Sequence, residues 1–190
     1  MERNYSENKI FEGKNFTEEN FDRGDYENCT FKNCMFTGSD LSTVNFIECK
    51  FFNCDLSTVH VSGSVLRDSK FKDCKIVGVH FGNSNRPMFS VTFEKCRLNL
   101  SSFYKLDLRN SKFTDCELWD ADLTKANLSG LIITNCDFAG AAFENTVLEK
   151  TDLRTSYNFS IDPEKNRIKK AKFSIYGLSG LLEKYELEIE

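Results

Sequence analysis

The feature that most constrains this chain is a period of five, clearest between Ser111 and Leu153. Phe113, Leu118, Leu123, Leu128, Phe138 and Phe143 recur at multiples of five, and Ser111, Cys116, Ala121, Ala126, Cys136 and Ala141 stand two places before them. An amphipathic helix needs a period near 3.6 and a half-buried strand a period of about 2, so this pattern fits neither. Fixed short repeats belong to solenoids, whose coils stack and bury one another.

The period starts at Phe11 and keeps step through Phe31, Phe51 and Phe71 to Phe81. The register then jumps by two residues across Gly82–Pro87, where Gly and Pro mark a bulged corner, and the pattern is expected to resume at Met88 and Phe93. Leu153 and Phe173 are again in step across an irregular segment, Tyr157 to Lys170. Leu178, Leu181, Leu182 and Tyr185 fall at i, i+3, i+4 and i+7, which predicts a short amphipathic helix. Tyr185, Leu187 and Ile189 alternate with glutamates, which predicts a short closing strand. Residues 1–178 are therefore read as a solenoid with a bulge at 82–87 and an irregular stretch at 157–170, and 179–190 as a helix and strand cap.

Size and composition agree with one domain. The chain has 190 residues, 40% hydrophobic, with eighteen Phe against one Trp and six Tyr, so a sizeable aromatic core is available. A net charge of −4 implies no particular partner. Met1 to Lys14 contains no apolar leader-like run, and no stretch approaches the ~20 apolar residues of a membrane span. The expectation is a cytoplasmic protein that does not enter membranes.

These repeats resemble those of the pentapeptide-repeat family from about Phe11 to Phe173. The resemblance implies an all-β fold, a right-handed quadrilateral β-helix of about eight coils with four pentapeptides per coil. The bulky residue and the small one before it would point inward. Residues twenty apart would then stack at the ~4.8 Å spacing of neighbouring strands. On that geometry Phe11, Phe31, Phe51, Phe71, Phe93 and Phe113 form one ladder.

The same geometry assigns the residues that otherwise invite chemistry. All eight cysteines stand two places before a bulky position, and Cys34, Cys54, Cys74, Cys96, Cys116 and Cys136 form one column. Parallel thiols at coil spacing suit neither a disulfide, which needs converging Cβ atoms, nor a tetrahedral zinc site, so they read as small buried packing residues. His60 and His80 stack outward above Asp40, a line that is a poor match to metal coordination, and no metal or cofactor is expected. Lys32, Lys50, Lys70, Lys72 and Lys112 lie on the ladder face, and Asp25, Glu27 and Glu48 lie on the next. Trp119, Asp120, Asn85 and Arg86 are candidate partner contacts, because outward aromatics can anchor partners and the bulge projects. No phosphate-binding loop, dinucleotide turn, nucleophile elbow or zinc-protease pair occurs, so the chain reads as non-enzymatic.

Within the family the chain is similar to the topoisomerase-protecting, Qnr-type quinolone-resistance branch. The similarity rests on an uninterrupted rod, the Cys116-Glu-Leu-Trp119 turn and the Leu181-Leu182-Glu-Lys-Tyr185 end. It implies a dimeric rod that imitates duplex DNA and binds DNA gyrase or topoisomerase IV, protecting them from quinolones. The alternatives are a scaffold for another partner and nucleic-acid binding along the lysine face, the latter opposed by an acidic sequence pI of about 5.4. Leu178, Leu181, Leu182, Tyr185, Leu187 and Ile189 are expected to carry a homodimer at the carboxyl end, since solenoid ends need a cap, the strand's apolar side would otherwise lack a partner, and two-fold dimers are the commonest oligomers. The competing reading is a strand folded back on its own last coil.

Overall fold

The computed structural model describes residues 4–19 and 21–188. Its strands are short and all run parallel. One sheet stacks β1 (Asn4–Glu7), β3 (Gly24–Glu27), β5 (Asn45–Ile47) and β7 (Val65–Arg67). The other stacks β2 (Ile10–Glu12), β4 (Thr30–Lys32), β6 (Lys50–Phe52), β8 (Ser69–Lys72), β9 (Val91–Glu94), β10 (Lys112–Thr114) and β11 (Ile133–Thr134). Phe31 pairs with Phe51 and Phe51 with Phe71, one residue per coil, and single-residue bridges such as Asp40 to His60 and Asp122 to Ala142 continue the stacking on the remaining sides. The result is a right-handed quadrilateral β-helix.

Each pentapeptide makes one side of the square, and each of its positions has a separate physical task. The bulky residue is buried: Phe31, Phe51, Phe93 and Leu108 have no exposed surface. Phe31 and Phe51 stack at 4.8 Å between ring centroids, and Phe51 and Phe71 at 4.6 Å. The small residue two places earlier is buried as well, and where it is Ser, Thr or Cys its polar tip donates to a backbone carbonyl, in several cases one of the coil below. Thr146 Oγ1 bonds Leu123 O at 2.9 Å, Ser101 Oγ bonds Ile76 O at 2.8 Å and Cys49 Sγ bonds Tyr26 O at 3.2 Å. Among the described residues no buried side-chain nitrogen or oxygen lacks a partner.

The polar residue just before the bulky one caps the coming turn. Asp40, Asp55, Asp122 and Asn127 each accept the amide two residues on, at 2.9 to 3.1 Å. The corner itself falls two residues after the bulky one and needs a positive φ. Gly38, Gly63 and Gly78 supply it cheaply, and Asn33, Asn53 and Asn135 adopt it at 51 to 52°.

The bulge at Gly82–Pro87 is absorbed locally. It forms two 3-10 turns, Phe81–Asn83 and Arg86–Met88, and parallel pairing resumes at Ser69 with Val91. The two-residue jump holds, Phe71 pairing with Phe93, but within the bulged coil the inward residue differs from expectation: Met88 is 47% exposed, and Phe89 takes the inward place beside Phe81, with ring centroids 5.7 Å apart. The second 3-10 turn ends at Met88 and carries it outward, so the next residue fills the core.

At the carboxyl end a 3-10 turn (Ile175–Gly177), helix α1 (Ser179–Leu182) and another 3-10 turn (Glu183–Tyr185) lie across the last coil. The expected strand is not formed by the described part of Tyr185–Ile189. Lys184 bridges Asp162 and Glu164, Tyr185 donates to Glu164, and Glu186 turns into the left-handed region at φ 49°. These contacts wind the chain helically, so the alternation from Tyr185 is never laid on a sheet edge. Ile189 lies outside the described residues.

Candidate interaction surfaces

The thiols expected inside are inside. All eight cysteines are free and buried, and burial pushes the Cys49 thiol up to about 12 and raises that of Cys34. Neutral thiols in a closed core are poor nucleophiles and poor ligands.

Asp40, His60 and His80 do stand in one outward column, Asp40 bridged to His60 and His80 to Ser102. Asp40 is committed elsewhere: it caps Ser42 and pairs with Arg23, and the bonds from Ser42 and Arg23 lower its carboxyl to about 2. Among the described residues no group of three or more His, Cys, Asp or Glu is arranged to hold a metal ion.

Trp119 is 45% exposed, with its amide donating to Asn99 Oδ1 at 3.1 Å. Leu100, one coil below and 59% exposed, donates its amide to the Trp119 carbonyl at 2.8 Å. The two form an apolar patch on a corner, beside Asp120, whose carboxylate lies against Gly140. Asn85 and Arg86 belong to the bulge on another side of the rod, where Arg86 Nε donates to Gly82 O at 2.9 Å. The four candidates are therefore two separate surfaces.

At the carboxyl end Leu178, Leu182, Tyr185 and Leu187 are exposed, and Tyr176 is 93% exposed, whereas Leu181 packs against the core. A cleft of about 700 Å³ runs beneath this cap, between Tyr157, Phe159, Tyr176 and Leu187.

The lysines of the ladder face are diluted. In the register Lys50, Lys70, Thr92 and Lys112 follow one another, and Lys72 is bound to Glu94 at 2.6 Å. On the neighbouring column Asp55 pairs with Lys75 and Arg97 with Glu117. The stronger basic groups sit at corners, which reading by faces alone passed over. Lys105 and Lys125 flank the Tyr104 ring at 5.0 and 5.9 Å and lower its phenol, and Lys150 and Lys170 stack on the next corner. The usable signal was the corner position itself, where lysine replaces the usual Asn or Gly.

A family model described as a pentapeptide repeat region matches residues 7–85 and 87–159. No curated protein matches the chain. Among solved structures it is similar to QnrB1, a plasmid-mediated fluoroquinolone resistance protein, at 20% identity, covering 98% of this chain and 100% of that one with a TM-score of 0.48. It is also similar to HetL, a pentapeptide repeat protein involved in heterocyst differentiation regulation from the cyanobacterium Nostoc, at 14% identity over 90% of this chain and 84% of that one, with a TM-score of 0.49. A pentapeptide repeat protein of the Arabidopsis thaliana thylakoid lumen matches at 17% identity over 81% and 64%, with a TM-score of 0.32.

Proposed function

The chain belongs to the pentapeptide-repeat family, and from that premise we propose that it is a non-catalytic rod that presents fixed columns of side chains to a protein partner. The observation that carries this reading is the division of labour within each pentapeptide. Interior positions are closed and satisfied, so the variable chemistry lies on the outside, at positions the backbone holds rigidly. Extended surfaces of this kind are how solenoids act. Trp119 with Leu100, and the bulge at Asn85 and Arg86, are its contact surfaces.

DNA gyrase or topoisomerase IV is the partner implied by the sequence resemblance, with duplex mimicry and quinolone protection as the outcome. A duplex mimic works through continuous negative potential, and support for it is confined to the acidic amino end around Asp25, Glu27 and Glu48. A supercoiling assay with and without a quinolone tests it. Inhibition of the enzyme or rescue from the drug at micromolar protein supports the reading, and neither effect rejects it. The neutralised pairs Lys72 with Glu94, Asp55 with Lys75 and Arg97 with Glu117 favour the second reading, a scaffold for another partner with mixed surface charge. Capture of a partner that Trp119→Ala abolishes, with no effect on supercoiling, identifies that case.

The carboxyl-end homodimer belongs to the same proposal, supported by the exposed Leu178, Leu182, Tyr185 and Leu187. Truncation after Lys184 is expected to yield a monomer in sedimentation equilibrium at ~1 M salt, where charge pairing is screened, while the β signal persists. A full-length protein that is monomeric at tens of micromolar rejects it.

A further inference from the structure

One side of the rod divides its charge between two halves. It is the side whose buried residues are Tyr26, Phe46, Leu66, Leu108, Leu128 and Leu148. Towards the amino end, this side and the corner that follows it carry Glu7, Asp25, Glu27, Glu48 and Asp68 against Arg67, a net charge of −4. Towards the carboxyl end they carry Arg109, Lys150, Arg167, Lys169 and Lys170 against Asp107 and Glu149, a net charge of +3. Arg109 and Arg167 are occupied by those two acids. Among the described residues Lys150, Lys169 and Lys170 pair with no carboxylate.

The corner makes the division sharpest. Glu48, Asp68, Lys150 and Lys170 occupy the same position of their coils, all in the left-handed region with φ between 53 and 60°. Asn, Asp and Gly adopt that conformation at lower cost than Lys or Glu. Lys150 and Lys170 are also stacked one coil apart, with the Lys150 amide bonded to Lys169 O at 3.0 Å, so like charges repel along the column. Fold stability alone therefore disfavours lysine at both places.

We propose that this side pairs with the same side of a second copy, the two rods antiparallel, so that Glu48 and Asp68 of each meet Lys170 and Lys150 of the other. A two-fold axis lying in the interface keeps each corner opposite its own copy and reverses the order of coils. When the axis crosses the corner at Asn110, the level of Glu48 falls opposite that of Lys170, and Asp68 opposite Lys150. Arg67 then comes opposite Glu149. Met88 on the bulge comes opposite Ser129 and Gly130, small residues that leave room for it. Each contact occurs twice, which is what a self-complementary interface requires.

This pairing is independent of the apolar carboxyl-end contact, and salt separates the two. Sedimentation equilibrium of the protein truncated after Lys184 is expected to show dimer at ~0.01 M salt and monomer at ~1 M, where the Debye length falls from ~30 to ~3 Å. The double variant Lys150→Glu with Lys170→Glu, and separately Glu48→Lys with Asp68→Lys, should each weaken self-association about tenfold or more at low salt. These exchanges use residue types that the same corner already accommodates, and circular dichroism confirms the fold. Mixing the two double variants should restore a one-to-one dimer, since every reversed charge then meets its opposite. Asn110→Cys should cross-link to itself under mild oxidation, the native thiols being buried. A truncated protein monomeric at low salt, self-association indifferent to both double variants, or failure of the mixed variants to associate overturns the proposal. So does a basic half that binds an acidic peptide or an oligonucleotide with the protein remaining monomeric.

Discussion

The Ile161 amide donates to the carbonyl of Gly180 at 2.8 Å, joining the cap helix to the last irregular coil as though it were one more strand. The approach is possible only without a side chain, because a Cβ on Gly180 would collide with the Phe159 carbonyl and one on Gly177 would come within 2.7 Å of its ring. Gly180→Val is expected to lift the cap and lower stability by about 1–3 kcal/mol, the usual cost of overpacking. Thermal unfolding checks this, and an unchanged midpoint shows that the cap contributes nothing to the stack.

The ring ladder should show a gradient. Phe51 is fully buried between Phe31 and Phe71, so Phe51→Ala should cost roughly 3–5 kcal/mol. Phe11 stacks on Phe31 from one side only and is partly exposed, so Phe11→Ala should cost clearly less. Denaturant titration of both variants distinguishes a ladder from a set of equivalent rings.

The period of five located the inward columns, the thiols and the ladder, because a solenoid repeats one local structure and each position has one environment. It failed where the chain leaves that structure. Met88 and Phe89 exchange roles because the 3-10 turn over Arg86–Met88 carries Met88 outward, while the two-residue jump itself holds at Phe71 and Phe93. Tyr185 and Leu187 do not form a strand, because salt bridges from Lys184 to the irregular coil decide the path of the chain there. The corner lysines were visible all along, yet their meaning depends on which coils stack. Linear reading groups residues by type, and the fold groups them by column.

All eight thiols should react slowly with a bulky reagent until denaturant is added. Their burial and their bonds to carbonyls, such as Cys29 Sγ to Ser6 O at 3.4 Å, are the reason. Rapid native labelling of the six-membered column would mean that the coils open readily.

Acid should loosen the corners. Arg109 and Arg154 lower the carboxyls of Asp107 and Asp152, Lys184 lowers that of Asp162, and Ser42 and Arg23 hold Asp40 at about 2. Groups held lower in the folded state than in the unfolded chain, where Asp titrates near ~3.9, stabilise the fold fully above that pH and progressively less below it. The unfolding midpoint should therefore be flat from about pH 7 to 5 and fall between about pH 4 and 2. A midpoint constant down to pH 2 would show that these turn-capping carboxylates do not stabilise the native state.

The corner lysines give a prediction in which stability and association move in opposite directions. Lys150→Asn and Lys170→Asn replace a disfavoured left-handed residue with one that adopts the conformation routinely, and each removes one partner of a like-charge stack. Each should raise stability by about 0.5–1 kcal/mol, close to the energy that separates residue types in this conformation. For a chain of this length that is a midpoint increase of roughly 1–4 °C. The same substitutions remove the charges that face Asp68 and Glu48 of a second copy, so low-salt association should weaken as the fold strengthens. Stability purchased at the expense of a contact surface is a common exchange in natural proteins. Measuring both quantities on the same variants separates the cases: a gain in stability with association unchanged places the contact elsewhere, and a loss of stability means that lysine is the better corner residue here.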